Sequence, residues 1–306
     1  METEENKSNL LDAFFRIHDF LVSHASMPIR RQLMDEIDWE QRLIAIKGGR
    51  GVGKTDFLLT CAKELEEKKR LEEETQANIK HRRKKKNTNA RPCLYISLND
   101  FYFTDNSLYG LAGEFAANGG EYLFIDQIFK YPDWAKDLKH CYTRYKKLHI
   151  VFCATPVLPI DEENPLICDI VTTYNLRGFS FREYLNIQTG LHFRSYSLEE
   201  ILQHHASISR EICERVHPLD YFQAYLKHGY YPSYLESSNF EVELLKTMNG
   251  QLEVDVLMNK QIDVACLHKI RKLLYILMEE APCALNISNI AERIGLSRAT
   301  TMNYIK

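Results

Sequence analysis

Apolar positions recur along this chain in two periods, and the switches between them mark its elements. Over residues 9–22 the apolar side chains Leu10, Leu11, Phe14, Phe15, Ile17, Phe20 and Leu21 fall at roughly helical spacing, and Pro28 breaks the pattern before a second stretch, 29–38. Two helices are expected there. Residues 42–47 form a short apolar run that ends in a glycine cluster, after which residues 56–65 resume the helical period, giving strand, loop, helix. Short runs recur at 93–98, 122–125 and 149–153, separated by helical or turn-rich stretches, which is the rhythm of a largely parallel sheet with helices on its faces. Beyond Tyr184 no strand-like run is clear. The chain reads there as helical over 198–216, 218–235, 240–248 and 263–280.

Composition narrows the class. The 306 residues suffice for two or three domains at about 100–200 residues each. Hydrophobic residues at 45% and charged residues at 26% exclude a wholly disordered, collagen-like or coiled-coil chain. A net charge of -3 gives no global attraction to nucleic acid or anionic lipid, so any such contact needs a local patch. Over residues 63–92 the chain turns to Glu, Lys and Arg and ends in a basic run, His81 to Lys86; a solvated or disordered excursion between core elements is favoured over a nucleic-acid contact. The first nine residues are polar and acidic, and no stretch approaches the ~18–20 apolar residues that span a bilayer. A cytoplasmic protein without membrane contact is expected. The eight cysteines are scattered, with no Cys-x-x-Cys pair and no zinc-finger spacing, so buried reduced thiols are expected.

The strongest chemical signal is Gly48-Gly-Arg-Gly-Val-Gly-Lys54-Thr55, which satisfies G-x-x-x-x-G-K-[ST] between an apolar run and a helical one. In such a P-loop the glycines let backbone N–H groups close around phosphate oxygens at a helix N-terminus. Lys54 should reach the β- and γ-phosphates, and the Thr55 hydroxyl should ligate Mg²⁺. The cofactor-binding set is Gly48, Gly49, Arg50, Gly51, Val52, Gly53, Lys54, Thr55 and Asp56, with ATP and Mg²⁺ as the expected cofactors. Residues 122–126 end four apolar residues in a carboxylate, the Walker B pattern, so Thr55 and Asp126 are the expected metal residues. One more strand intervenes before Asp126, which resembles the P-loop class with an added central strand, the class of AAA-type and RecA-like ATPases. There the next residue is usually a Glu that polarises the attacking water; here it is Gln127, whose amide cannot accept that proton.

Other residues carry weaker signals. Thr155, after the run at 149–153, is the candidate polar sensor of the γ-phosphate, set against an ordinary strand-end turn residue. Arg177 and Arg182 could offer a guanidinium to the γ-phosphate, although structural arginines are commoner. Asn259-Lys260-Gln261 begins like a guanine-specificity motif, but Ile262 stands where its Asp should be, which disfavours GTP. In the tail, Ser288 caps an expected helix over 289–294, Gly295 makes a turn, and Ser297 caps a second helix through Tyr304. This spacing fits a helix-turn-helix, with Arg298, Asn303 and Lys306 facing DNA or simply packing.

Several segments together resemble one family, the bacterial and archaeal AAA-type ATPases that join a P-loop domain to a winged helix and then a nuclease-like domain. They are residues 42–55, 108–112, 119–134 (Gly119-Gly-Glu-Tyr-Leu-Phe-Ile-Asp-Gln-Ile-Phe-Lys-Tyr-Pro-Asp-Trp134), 179–185 (Phe179-Ser-Phe-Arg-Glu-Tyr-Leu185) and 229–232 (Gly229-Tyr-Tyr-Pro232). The resemblance implies an α/β fold: an ASCE-type P-loop parallel sheet flanked by helices, then a helical lid and a partial winged helix. It also implies ATP binding with hydrolysis. The chain departs from the family by losing the Glu and the His of its Asp-Glu-(Ile/Val)-His-Lys-Tyr-Pro motif at Gln127 and Phe129, and by carrying Ala154-Thr155-Pro156 where the family has Gly-Ser-Ser. By this resemblance the family's wing and nuclease-like domain are expected to be absent. The expected organisation is N-terminal helices (1–40), a P-loop domain (41–185) with the charged insertion 63–92, a helical lid (186–262) and a truncated helix-turn-helix (263–306). The expected function is a nucleotide-dependent switch with slow hydrolysis, Gln127, Thr155 and Arg182 forming the catalytic set. The alternatives are a DNA-associated regulator or an inactive truncated member. Expected partners are ATP, DNA or a protein at the helix-turn-helix, and a second copy of the chain.

Overall fold

Five strands form one parallel sheet: β1 (Leu43–Lys47), β2 (Cys93–Ser97), β3 (Tyr122–Asp126), β4 (His149–Ala154) and β5 (Thr172–Asn175), in the order β2-β3-β4-β1-β5. The computed structural model describes residues 2–79, 91–160, 164–235, 237–256, 266–281 and 284–305. Contacts divide the chain into two compact units, Met1–Leu244 and Leu245–Lys306. The sheet lies in the first.

The first four strands are almost wholly buried, which is why they read as continuous apolar runs. Alternate residues feed opposite faces. Leu43 and Ala45 join a core with Ile96, Ile125 and Phe152, covered by α1 (Glu2–His24), α4 (Leu108–Ala117) and α5 (Trp134–Arg144). Ile44 and Ile46 join another with Tyr95, Phe124 and Val151, covered by α2 (Leu33–Glu36) and α3 (Lys54–Ile79). The register sets Lys47 opposite Ala154 and Ser97 opposite Asp126, so β4 separates the P-loop strand from the Asp126 strand and the C-terminal ends share one rim. Ligands of parallel sheets bind at that rim. The α/β P-loop architecture, with helical elements following the sheet, is the one expected.

Several elements differ from the sequence reading. β5 has no apolar run, because Thr172, Thr173, Tyr174 and Asn175 sit on an edge where none is fully buried. The helix expected over 29–38 is a single turn, since the backbone is extended again at Ile37. By contrast α3 runs on to Ile79, so the charged excursion is helical that far, with Lys69 bridged to Glu121 at 2.6 Å and Arg70 facing Glu74 one turn on. The basic run 81–86 lies outside the described residues, as do Asn259 to Ile262.

Beyond the sheet, Ser180 and Glu183 form a capping box on α6 (Phe181–Thr189), and Ser197 and Glu200 form another on α7 (Leu198–Arg215). The helix expected over 218–235 breaks after α8 (Pro218–Ala224) into a π turn, Tyr225–Gly229, and a 3-10 turn, Pro232–Leu235. Gly229 and Pro232 are the breakers, one tightly packed on Tyr184 and the other unable to donate. Helix α9 (Phe240–Gly250) spans the boundary between the units. In the second unit α10 (Leu267–Glu280), α11 (Ile287–Ile294) and α12 (Arg298–Ile305) enclose Leu273, Ile276, Ile290 and Ile294. Asn286, not Ser288, caps α11, its side chain accepting from Asn289 N at 3.2 Å, and Gly295 ends it at φ 69°.

Four of the described cysteines (Cys61, Cys93, Cys141 and Cys153) are buried, whereas Cys168 and Cys266 are half-buried and Cys213 is exposed; Cys283 lies outside the described residues. Among the described residues no helix is long and apolar enough to cross a membrane.

Candidate functional site: a glycine-rich loop beside a buried carboxylate

β1 leads straight into the glycine-rich loop, and the loop into α3. Gly48 N donates to Ala154 O at 3.1 Å, tying the loop to the end of β4. A side chain at Gly48 would meet Leu176 O at 2.5 Å, so only glycine fits against the exit of β5. Gly51 and Gly53 take φ of 79° and 85°, open to glycine and strained for other residues. The loop therefore ends at the N-terminus of a long helix, where unpaired N–H groups and the dipole favour an anion.

Inside this cradle the Lys54 ammonium donates to the loop's own carbonyls, Gly48 O at 2.8 Å and Gly49 O at 2.7 Å. Val52 is buried beneath the loop, Arg50 lies over the Phe129 ring at 5.9 Å, and Asp56 is exposed in the first turn of α3. Thr55 Oγ1 donates to Asp126 Oδ2 at 2.6 Å. Asp126 is only 4% exposed, and its carboxylate accepts twice more: Oδ2 from the Tyr95 hydroxyl at 3.1 Å, and Oδ1 from Gln127 N at 2.7 Å. Burial, reinforced by the Asp126 charge, pushes the Tyr95 phenol well above its ordinary value, which keeps it a donor. A hydroxyl and a carboxylate in contact beside a glycine-rich loop are oxygen donors of the kind a hard divalent cation takes, together with further ligands. No cluster of three or more His, Cys, Asp or Glu suited to a metal occurs among the described residues.

Gln127 has φ 53°, the one positive value among the described non-glycine residues. Such a conformation costs about 1–2 kcal/mol, here at a half-buried residue directly after β3. Thr155, just after β4, is 2% exposed, yet its hydroxyl has no hydrogen-bond partner among the described residues. Arg182 is committed elsewhere: it donates to Gln32 Oε1 at 2.7 Å and to Phe193 O at 3.4 Å. Arg177 is exposed.

Arg31 is a residue that sequence reasoning missed. Buried at 4%, it pairs with Glu183 at 3.0 Å and donates to Val52 O at 3.5 Å, Arg177 O at 2.6 Å and Gly178 O at 3.0 Å, with its guanidinium over the Phe179 ring. No local pattern in the sequence marks it, because its carboxylate partner lies 152 residues away. The segment 229–232 closes the same side. Tyr230 O accepts from Phe179 N at 2.8 Å, and Pro232 stands 3.5 Å from where a side chain at Gly53 would begin.

Residues 40–185 match the family model of an AAA domain. This stretch runs from just before β1 into α6 and contains the glycine-rich loop and all five strands, but neither Arg31 nor the segment 229–232. No curated protein matches the sequence. Among solved structures the chain is similar to AMPPCP-bound DnaA from Aquifex aeolicus, at 13% identity and a TM-score of 0.30 over 95% of this chain and 86% of that one. It is similar to PCH-2 of C. elegans at 12% and 0.31, over 95% and 68%, and to the Aeropyrum pernix ORC1 protein in complex with DNA at 11% and 0.33, over 95% and 80%. At these scores the likenesses carry no argument about activity or partners.

Replacing Arg31 by Met leaves Glu183 buried without its charge partner, and the expected loss of stability is about 3–5 kcal/mol in urea unfolding. The double variant Arg31→Met/Glu183→Leu should lose markedly less than the two single losses added together. Strict additivity would show that the pair does not act as a unit.

Proposed function

We propose that the chain binds Mg·ATP in the Gly48–Thr55 loop and works as a nucleotide-dependent switch whose hydrolysis is slow. The observation that carries this reading is the Thr55–Asp126 contact of 2.6 Å beside the loop, across a sheet in which β4 separates the two strands. Lys54 leaves the Gly48 and Gly49 carbonyls for the β- and γ-phosphates, and the loop N–H groups hold the phosphate chain. Thr55 and Asp126 would hold Mg²⁺, which when bound neutralises charge on the β- and γ-oxygens. Gln127 stands where a proton acceptor is needed and supplies an amide, so the attacking water is oriented without being deprotonated.

The Thr155 hydroxyl, which has no hydrogen-bond partner among the described residues, supports its role as the sensor. A buried hydroxyl without a partner costs about 1–3 kcal/mol, and a phosphate oxygen arriving at the rim would give it an acceptor. Arg182 reaches a nucleotide only if it gives up Gln32 and Phe193. In this reading residues 186–262 act as the lid, and the packing of Pro232 on Gly53 relays the state of the loop to it.

A second reading, contact with duplex DNA through the tail, is favoured by Arg298 and Asn303, which stand exposed on α12; Lys306 lies outside the described residues.

The deciding experiment is a single turnover of labelled Mg·ATP with excess protein. Bound ATP is expected to stay intact for hours, and Gln127→Glu to speed its conversion by ~10²–10⁴. ADP released within minutes by the unaltered protein would refute the assignment of slow turnover to Gln127. Thr155→Val should leave stability unchanged or slightly higher, because it removes an unsatisfied hydroxyl, while slowing turnover further; a lower melting temperature with unchanged turnover would make Thr155 structural. For the second reading, duplex affinity should fall steeply with salt and weaken on Arg298→Ala, and salt-insensitive binding counts against it.

A further inference from the structure

Asp126 draws its three hydrogen bonds from three places. Thr55 belongs to the phosphate loop and Gln127 N is the next residue of the chain, but Tyr95 comes from a neighbouring strand and has no part in the function proposed above. In the β2–β3 register Tyr95 lies opposite Phe124, whereas Ser97 is the residue level with Asp126. The phenol therefore runs along the sheet toward the rim to reach Oδ2. Its ring packs with Phe124, Val151 and Cys153 in the core under α3, a place that phenylalanine would fill equally well. The hydroxyl is what distinguishes tyrosine there, and Asp126 is its hydrogen-bond acceptor at 3.1 Å.

The backbone of Tyr95 is fixed as well. Its N–H donates to Nδ1 of the fully buried His18 at 2.9 Å, and the other ring nitrogen of His18 lies 3.0 Å from Glu66 of α3. Because Nδ1 accepts, the proton sits on Nε2 and is donated to Glu66. Helices α1 and α3 thus hold Tyr95 in place from outside the phosphate loop.

We propose that Tyr95 is a positioning residue of the metal site, its hydroxyl fixing the Asp126 carboxylate so that Asp126 and Thr55 present their oxygens to Mg²⁺ together. In this reading Thr55 would offer its hydroxyl oxygen to the cation as well, whereas Tyr95 and Gln127 N would serve the carboxylate alone. When its oxygen turns to the metal, Tyr95 and Gln127 N keep Asp126 from turning with it. Nucleotide held by the loop alone does not need this restraint. The proposal rests on the Mg·ATP reading and concerns its metal half only.

The test measures binding of a fluorescent ATP analogue, first in chelator and then with rising Mg²⁺, by the unaltered full chain and by Tyr95→Phe. Circular dichroism melting establishes that both are folded at the temperature used. In chelator the two should bind alike within about twofold, while the Mg²⁺ concentration for half-maximal effect should rise roughly tenfold in Tyr95→Phe, the order expected for losing a hydrogen bond to a charged group. An unchanged Mg²⁺ requirement overturns the proposal. So does an equal loss with and without metal, which would make Tyr95 a packing residue. In an Asp126→Asn background the same tyrosine change should add little, and full additivity overturns action through Asp126. If the unaltered protein binds no analogue in either condition, the nucleotide site itself fails and the metal role falls with it; binding with a normal Mg²⁺ effect in both proteins sinks the role of Tyr95 alone.

Discussion

The Arg31 guanidinium is almost fully removed from water, and its remaining neighbours must supply what hydration would have supplied. It meets that requirement through Glu183 and through carbonyls at Val52, Arg177 and Gly178, so a single planar group with five donors touches the phosphate loop, the exit of β5 and the first turn of α6. None of those segments can shift by a few ångströms without leaving a buried charge or carbonyl unpaired. The stretch between α1 and α2, which looks incidental in the sequence, thereby becomes the fastening point for the loop at Val52, the exit of β5 and the start of α6. It also explains why Glu183 does two jobs, receiving Arg31 on Oε1 and Ser180 N on Oε2.

Around that fastening the loop is tense in a specific sense. Lys54 is turned inward on Gly48 and Gly49, Thr55 is closed on Asp126, and the Thr155 hydroxyl has no partner among the described residues. In the proposed nucleotide site a polyphosphate with its metal would satisfy these groups at once: an anion for the ammonium, a cation for the hydroxyl and carboxylate, an acceptor for Thr155. The contacts made without ligand are local and short-ranged. They can be exchanged without disturbing the sheet, whose hydrophobic cores lie below the rim on both faces.

What could be read from the sequence follows how each element is buried. β1 to β4 are covered on both faces and announce themselves as apolar runs, and the glycine-lysine-threonine motif fixes its own strand–loop–helix setting. β5 is an edge strand of Thr, Thr, Tyr and Asn that a hydrophobicity pattern does not distinguish from a loop. The short α2 was overestimated because Leu33, Met34 and Ile37 fit a helical period for one turn, and periodicity does not show where the chain extends again. At the site, motif spacing associates Thr55 with Asp126, and the structure brings them into contact. Arg31 and Tyr95 escaped because they act across 152 and 31 residues of chain, and neither belongs to a local pattern. Arg182 shows the converse, since its place in a recognisable segment suggested a phosphate contact, whereas its guanidinium is occupied by Gln32 and Phe193.

Helix α3 begins at the last two residues of the phosphate motif and continues for 26 residues. At 1.5 Å per residue that is about 39 Å, so a tilt of five degrees at its N-terminus would sweep the far end through about 3 Å. The charged segment beyond Leu65 is then the tip of a rod whose base rests on the phosphate loop, braced partway by Lys69 against Glu121. Small displacements at the rim of the sheet would be magnified mechanically at a surface dense in lysine, arginine and glutamate, well away from the place where they arise.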